Sequence, residues 1–148
     1  MTDPFVQPTE PTAAAAIAAI REEFEFLDDG EMQFMQLMDY AKRLPAFPPQ
    51  WQDETHLVPG CLAKVWLEPQ LVGDRLMLAG TSNAMLVAGV VGLLLRVYSG
   101  RPADEVLATD PGFLATLGMP ELTSNRKNGV VAMIGRIREA ARAGVAAA

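Results

Sequence analysis

The stretch VPGCLAKVW, Val58 to Trp66, holds Cys61, the only cysteine among 148 residues. A thiol can serve as a nucleophile, and its thiolate is the reactive form. His56, the only histidine, precedes it by five residues on the same connection. Paired, the two would make a small thiol hydrolase, but no acidic residue stands at a spacing that orients the ring. One Cys and one His fall short of a metal ligand set, so no metal site is expected. No phosphate-binding or dinucleotide fingerprint occurs. The glycines of AGVVGLL lie inside a helical run, where they permit close packing rather than bind phosphate. A third reading makes Cys61 inert packing in a protein-interaction module, because free cysteine is among the most buried residue types.

The surroundings of Cys61 favour a reactive role. Pro59-Gly60 bends the backbone just before it, which puts the thiol at the tip of an element. The preceding connection, PAFPPQWQDETHLVPG (Pro45 to Gly60), carries four prolines and has no usable periodicity. Structureless connections of this length are uncommon and are often functional. Phe47 and Trp51 within it are read as aromatic plugs that pack it down, rather than as a docking surface. After the turn, Cys61, Ala63, Val65 and Leu67 alternate with Leu62, Lys64 and Trp66, which predicts a strand with the thiol on its apolar face. An apolar setting keeps a thiol protonated. The expectation is a nucleophile that rests shielded and swings out to react.

The elements that must position it are mostly helical. Residues 1–11 are expected to be flexible. Ile17, Ile20, Phe24 and Leu27 recur at helical spacing from Thr12 onward. Asp28, followed by Glu31, predicts a capping-box start for a second helix, with Phe34, Met35, Met38, Ala41 and Leu44 as its buried face. VGDR turns the chain into a second short strand at Leu76 to Leu78, so 61–80 is predicted as an antiparallel hairpin. Ser82 or Asn83 can cap the buried helix that follows, which ends at YSG. Short helices are expected at 102–108 and from Asp110 to Gly118. A long amphipathic helix closes the chain, burying Val130, Ile134, Ile137, Ala141 and Val145. Contiguous strands among several helices predict an α+β fold with a small antiparallel sheet of about three strands. The whole of 1–148 is expected to form one domain.

Composition narrows the function. The longest apolar run, Ala84 to Leu95, has twelve residues, where a bilayer span needs about 20, so no membrane role is expected. The net charge of −6 argues against nucleic acid, whose affinity comes from clustered Lys and Arg. Charge is uneven: residues 1–40 hold nine carboxylates against Arg21 alone. The C-terminal stretch from Pro120 is basic, and could guide an acidic protein partner or simply face solvent. A lone thiol without a secretory signal predicts the reducing cytoplasm.

Four segments resemble the SufE family of sulfur-acceptor proteins. VPGCLAKVWL (58–67) resembles its active loop, Gly-Cys-x-Ser-x-Val-Trp. AGTSNAMLVAGV (79–90) resembles its Ser-Asp-Ala segment leading into a glycine-containing helix. LTSNRKNGVVAMIGRIREAA (122–141) is similar to its Leu-x-x-x-Arg-x-x-Gly C-terminal helix, and LPAFP (44–48) stands where the family has Leu-Pro. The likeness runs from Glu22 to Ala143 with order and spacing kept.

The resemblance implies the fold shared with IscU-type scaffold proteins, and Cys61 as the residue that takes persulfide sulfur from a cysteine desulfurase. That partner would be of the SufS or CsdA type and would carry pyridoxal phosphate; the chain itself would need no cofactor. It would stimulate the desulfurase and deliver sulfur for iron–sulfur cluster assembly, with a scaffold complex as a further partner. Pro59, Gly60 and His56 are expected to support the loop. Arg126, Ser82 and Asn83 would anchor the loop or contact the partner. The scaffold role itself does not follow, because IscU-type proteins use three cysteines. Ala63 replaces the family Ser, Thr81 and Asn83 replace acidic residues, and GEMQF (30–34) lacks the usual Trp and Arg.

Overall fold

A computed structural model describes residues 3–60, 63–119 and 129–147. Cys61, Leu62 and Arg126 lie outside the described residues, so the expectations placed on them have no structural description. The fold is α+β. Helices α1 (Ala13–Phe24) and α2 (Gly30–Arg43) precede strands β1 (Val65–Val72) and β2 (Arg75–Ser82), then α3 (Met85–Tyr98), β3 (Arg101–Pro102), α4 (Ala103–Ala108) and α5 (Val130–Ala147). Tight 3₁₀ turns occupy Pro49–Trp51 and Pro111–Leu117. The second replaces the α-helix expected there, and Gly118 ends it at φ 74°.

The sheet has the order β1-β2-β3, all antiparallel. Val72 pairs with Arg75 across a two-residue loop in which Gly73 supplies the positive φ, 65°. Pro69 is tolerated within β1 because β1 is an edge strand, where a missing N–H need not break a ladder. The second strand is longer than Leu76–Leu78, running from Arg75 to Ser82. The first begins at Val65 rather than at Cys61, since Ala63 bends and Lys64 is irregular. Within the described part of the strand alternation does not separate a wet face: Val65, Trp66 and Leu67 are all buried.

Beyond its exposed first turn (Met85, Leu86), helix α3 is apolar on every face but that of Arg96, because it is covered on nearly every side. Its residues from Ala88 to Leu95, with Val97 and Tyr98, are buried between the sheet and α2. Close approach to α2 rests on two glycines. A Cβ on Gly89 would run into the Leu37 carbonyl oxygen, and one on Gly92 would lie 2.8 Å from that of Tyr40. These are the glycines expected to serve packing.

Three expectations are corrected on the helices. The start of α2 is capped by Asp29, whose carboxylate accepts from Glu31 N at 2.8 Å, not by Asp28. Its buried residues are Leu37 and Tyr40, while Phe34 and Met35 are 46 % and 64 % exposed. The face that packs is the one carrying Tyr40, whose hydroxyl lies 2.6 Å from Glu23 and 2.7 Å from Arg96. On α5, Val130, Ile134, Ile137 and Ala141 are buried as expected, but Val145 is exposed. Gly144 takes the inward place, facing Leu71 and Ala103.

Residues 3–11, expected to be flexible, are held as a strap. Strand β3 is too short to cover the outer edge of β2, and the strap covers more of that edge. Val6 N donates to Leu78 O at 2.9 Å, and Ser99 Oγ donates to Val6 O at 2.7 Å. Glu10 pairs with Arg96 at 2.7 Å, and Arg101, fully buried, donates to the Glu10 carbonyl at 2.5 Å. Burial is the largest single influence and pushes the Glu10 carboxyl up. The hydrogen bonds from Arg96 and Thr9 and the charges of Arg96 and Arg101 together outweigh it and hold the group below its ordinary range.

Candidate functional site

The connection that carries Cys61 is closed at its base. Val58 N donates to Val65 O at 2.8 Å, Leu57 and Trp66 form an isolated antiparallel bridge, and Leu67 N donates to His56 O at 2.9 Å. Segment 56–58 thus runs back along the start of β1, with the residues from Pro59 to Lys64 between the two feet. Pro59 is exposed, and Gly60 turns the chain at φ 90°, a value that favours glycine. A Cβ at Gly60 would stand 3.7 Å from the Ala132 Cβ, which sets this foot against the first turn of α5.

The far foot is held by the end of β2. Lys64 N donates to Asn83 Oδ1 at 3.0 Å, and Lys64 O accepts from Asn83 N at 3.2 Å and from Ser82 Oγ at 2.7 Å. This corrects the capping expectation. Ala84 is the N-cap of α3, without a side-chain cap bond, and Ser82 Oγ only reaches Ala84 N at 3.2 Å. The polar side chains expected to start a helix instead saturate the backbone three residues beyond Cys61.

Local spacing predicts no acidic neighbour for His56, yet the fold supplies two. Asp53 Oδ1 lies 2.6 Å from Nδ1, and Glu68 Oε1 lies 3.3 Å from Nε2. The His56 hydrogen bond, aided by that of Thr55, pulls the Asp53 carboxyl down to about 2. The spacing Asp-x-x-His, with Asp53 also accepting from His56 N at 3.0 Å, is a turn signal present in the sequence. Glu68 lies twelve residues away, and only the β1 register brings it near. A thiol dyad would need a free ring nitrogen; Nε2 faces Glu68 instead.

Under this foot lies a small aromatic cluster. Phe47, Trp66 and Ala79 are buried, with Phe5, Trp51 and Leu57 packed on them. The Trp51 ring stacks on His56, centroids 5.8 Å apart, and meets Phe47 edge-on at 5.8 Å. Phe47 and Trp51 are therefore plugs, as expected, and Phe5 of the strap joins them. Among the described residues, no helix is long and apolar enough to cross a membrane.

Comparison with known proteins agrees with this architecture. Residues 18–141 match the family described as SufE, Fe-S metabolism associated domain. An uncharacterized SufE-like protein of Rhizobium etli is 35% identical over 139 residues, covering 90% of this chain and 94% of its own length. The sulfur acceptor protein CsdE of Escherichia coli is 28% identical over 117 residues, 77% of this chain and 80% of that protein. The solution structure of a hypothetical protein from Thermus thermophilus shares the fold, with a TM-score of 0.70 at 24% identity over 92% of this chain and 97% of that one. The family match spans both feet of the Cys61 connection and both elements that hold them, and on that extent the chain belongs to the SufE family.

Proposed function

We propose that the chain is a sulfur acceptor of iron–sulfur metabolism that takes persulfide sulfur onto Cys61. What carries the reading is the family match over residues 18–141, which includes the only cysteine of the chain in its Gly60-Cys61 setting. The name of the Escherichia coli relative, a sulfur acceptor protein, supports the same role.

The donor is a cysteine desulfurase of the SufS or CsdA type bearing a persulfide on its own cysteine. The Cys61 thiolate attacks the outer sulfur of that persulfide. A new S–S bond forms at Cys61, the donor's S–S bond breaks, and its electron pair leaves with the donor thiolate. The protons exchange with solvent, and no net oxidation occurs. The reading sets the chain in a reducing cytoplasm, which keeps the lone thiol free, and passes sulfur onward to cluster assembly. The hydrolase reading is weakened because both ring nitrogens of His56 face carboxylates. The family match weighs against an inert packing cysteine.

Alanine release from L-cysteine by such a desulfurase tests the stimulating part of this role. Adding the chain is expected to raise turnover, and Cys61→Ser is expected to leave it at the basal rate. Equal stimulation by both proteins would reject it.

A further inference from the structure

The near foot of the Cys61 connection carries a built side-chain tie. His56 meets β1 at two points: its carbonyl accepts from Leu67 N at 2.9 Å, and its ring faces the carboxylate of the next residue, Glu68, at 3.3 Å. The other ring nitrogen is held at 2.6 Å by Asp53, which also accepts from Thr55 Oγ1 at 2.8 Å. Trp51 covers the ring face, and Arg136 of α5 donates to the Thr55 carbonyl at 3.3 Å. Glu68 is braced in turn by Gln70 Nε2 at 3.1 Å. The His56 and Glu68 side chains are only 17 % and 21 % exposed, so their pairing is less screened than one on the open surface. Two N–H donors exist only on the protonated ring, so the full tie belongs to that form.

We propose that His56 is the positioning residue of the sulfur-accepting connection, tying the 53–56 turn to β1 through Asp53 and Glu68 and thereby fixing where Cys61 is presented. The inference rests on the proposed role of Cys61. It gives His56 a part in geometry rather than in proton transfer to the thiol.

The test compares the full-length chain with His56→Ala and Glu68→Gln. Amide exchange at Val58 and Leu67 reports the tie directly, because those amides close the foot. Leu78 and Gly100, bonded to Ser99 Oγ and Leu76 O, serve as remote controls. In His56→Ala, exchange at Val58 and Leu67 is expected to quicken about tenfold, with the controls unmoved. Glu68→Gln should shift the same two amides by a smaller factor. Sulfur transfer from the desulfurase at saturating chain is expected to fall about tenfold, with the half-saturating concentration changed by less than about twofold.

Unchanged exchange at Val58 and Leu67, or equal quickening at all four amides, overturns the inference. So does quickened local exchange with an undiminished transfer rate. Failure of the wild-type chain to take sulfur at all would instead sink the role of Cys61, and the exchange pattern would still decide whether His56 holds the foot.

Discussion

Asn83 holds Lys64 on both sides of its peptide: the side-chain oxygen accepts from Lys64 N at 3.0 Å, and the Asn83 amide donates to Lys64 O at 3.2 Å. Removing the side chain should leave the Lys64 amide without its protein partner. Asn83→Ala is expected to cost about 1 kcal/mol in denaturant unfolding and to slow sulfur transfer to Cys61. Asn83→Asp keeps the acceptor oxygen, so its transfer rate should stay near that of the wild type. An Asp variant as impaired as the Ala variant would show that this hydrogen bond is not what matters.

The Asp53 carboxyl offers a pH test of the other foot. Its ordinary value of 3.8 falls to about 2, chiefly through the His56 hydrogen bond. A carboxylate lowered in the folded state contributes stability above its unfolded value, and that contribution is lost as pH falls from 3.8 towards 2. Carbon-detected NMR titration should therefore find Asp53 ionised down to about pH 2 in the wild type. In His56→Ala it should move up towards the ordinary 3.8, though still short of it because the Thr55 hydroxyl and the residue-56 amide keep donating. No movement between the two proteins would contradict the pairing.

The glycines of α3 give a packing prediction. A Cβ at position 89 would meet the Leu37 carbonyl, and one at 92 would meet that of Tyr40 at 2.8 Å. Backbone cannot yield as a flexible side chain can. Gly89→Ala and Gly92→Ala are each expected to destabilise by about 1–3 kcal/mol, with Gly89→Ala the worse, as read by urea unfolding. A neutral Gly89→Ala would mean that α2 and α3 are not packed this closely.

On α2 the two faces should respond oppositely. Leu37→Ala is expected to lose about 2–5 kcal/mol, whereas Met35→Gln should lie within about 0.5 kcal/mol of the wild type. The reverse ranking would restore the methionine stripe to the core.

That contrast shows where sequence reading succeeds. The ends of α3 are legible because an apolar run bounded by SN and YSG leaves few alternatives, and its glycines mark the close approach. The Phe47–Trp51 plug is legible because large aromatics in a proline-rich connection need cover. Helix α2 misleads because its buried face is won by Tyr40 through polar bonds to Glu23 and Arg96, which hydrophobic periodicity does not weigh. The strap is missed for a similar reason. Its polar residues read as loose, yet Glu10 meets Arg96 and the buried Arg101 from far along the chain. At the site, Cys61 stands out as a lone thiol after Pro-Gly. The roles of Ser82, Asn83 and Glu68 depend on strand register, which local spacing does not encode.

The most direct measurement is the intact mass of the chain after incubation with a SufS- or CsdA-type cysteine desulfurase and L-cysteine. The expected product is one species heavier by about 32 Da, a single sulfur atom, discharged by excess thiol and missing from Cys61→Ser. A wild-type chain that gains no such mass, or a Cys61→Ser chain that gains it undiminished, would contradict Cys61 as the sulfur acceptor.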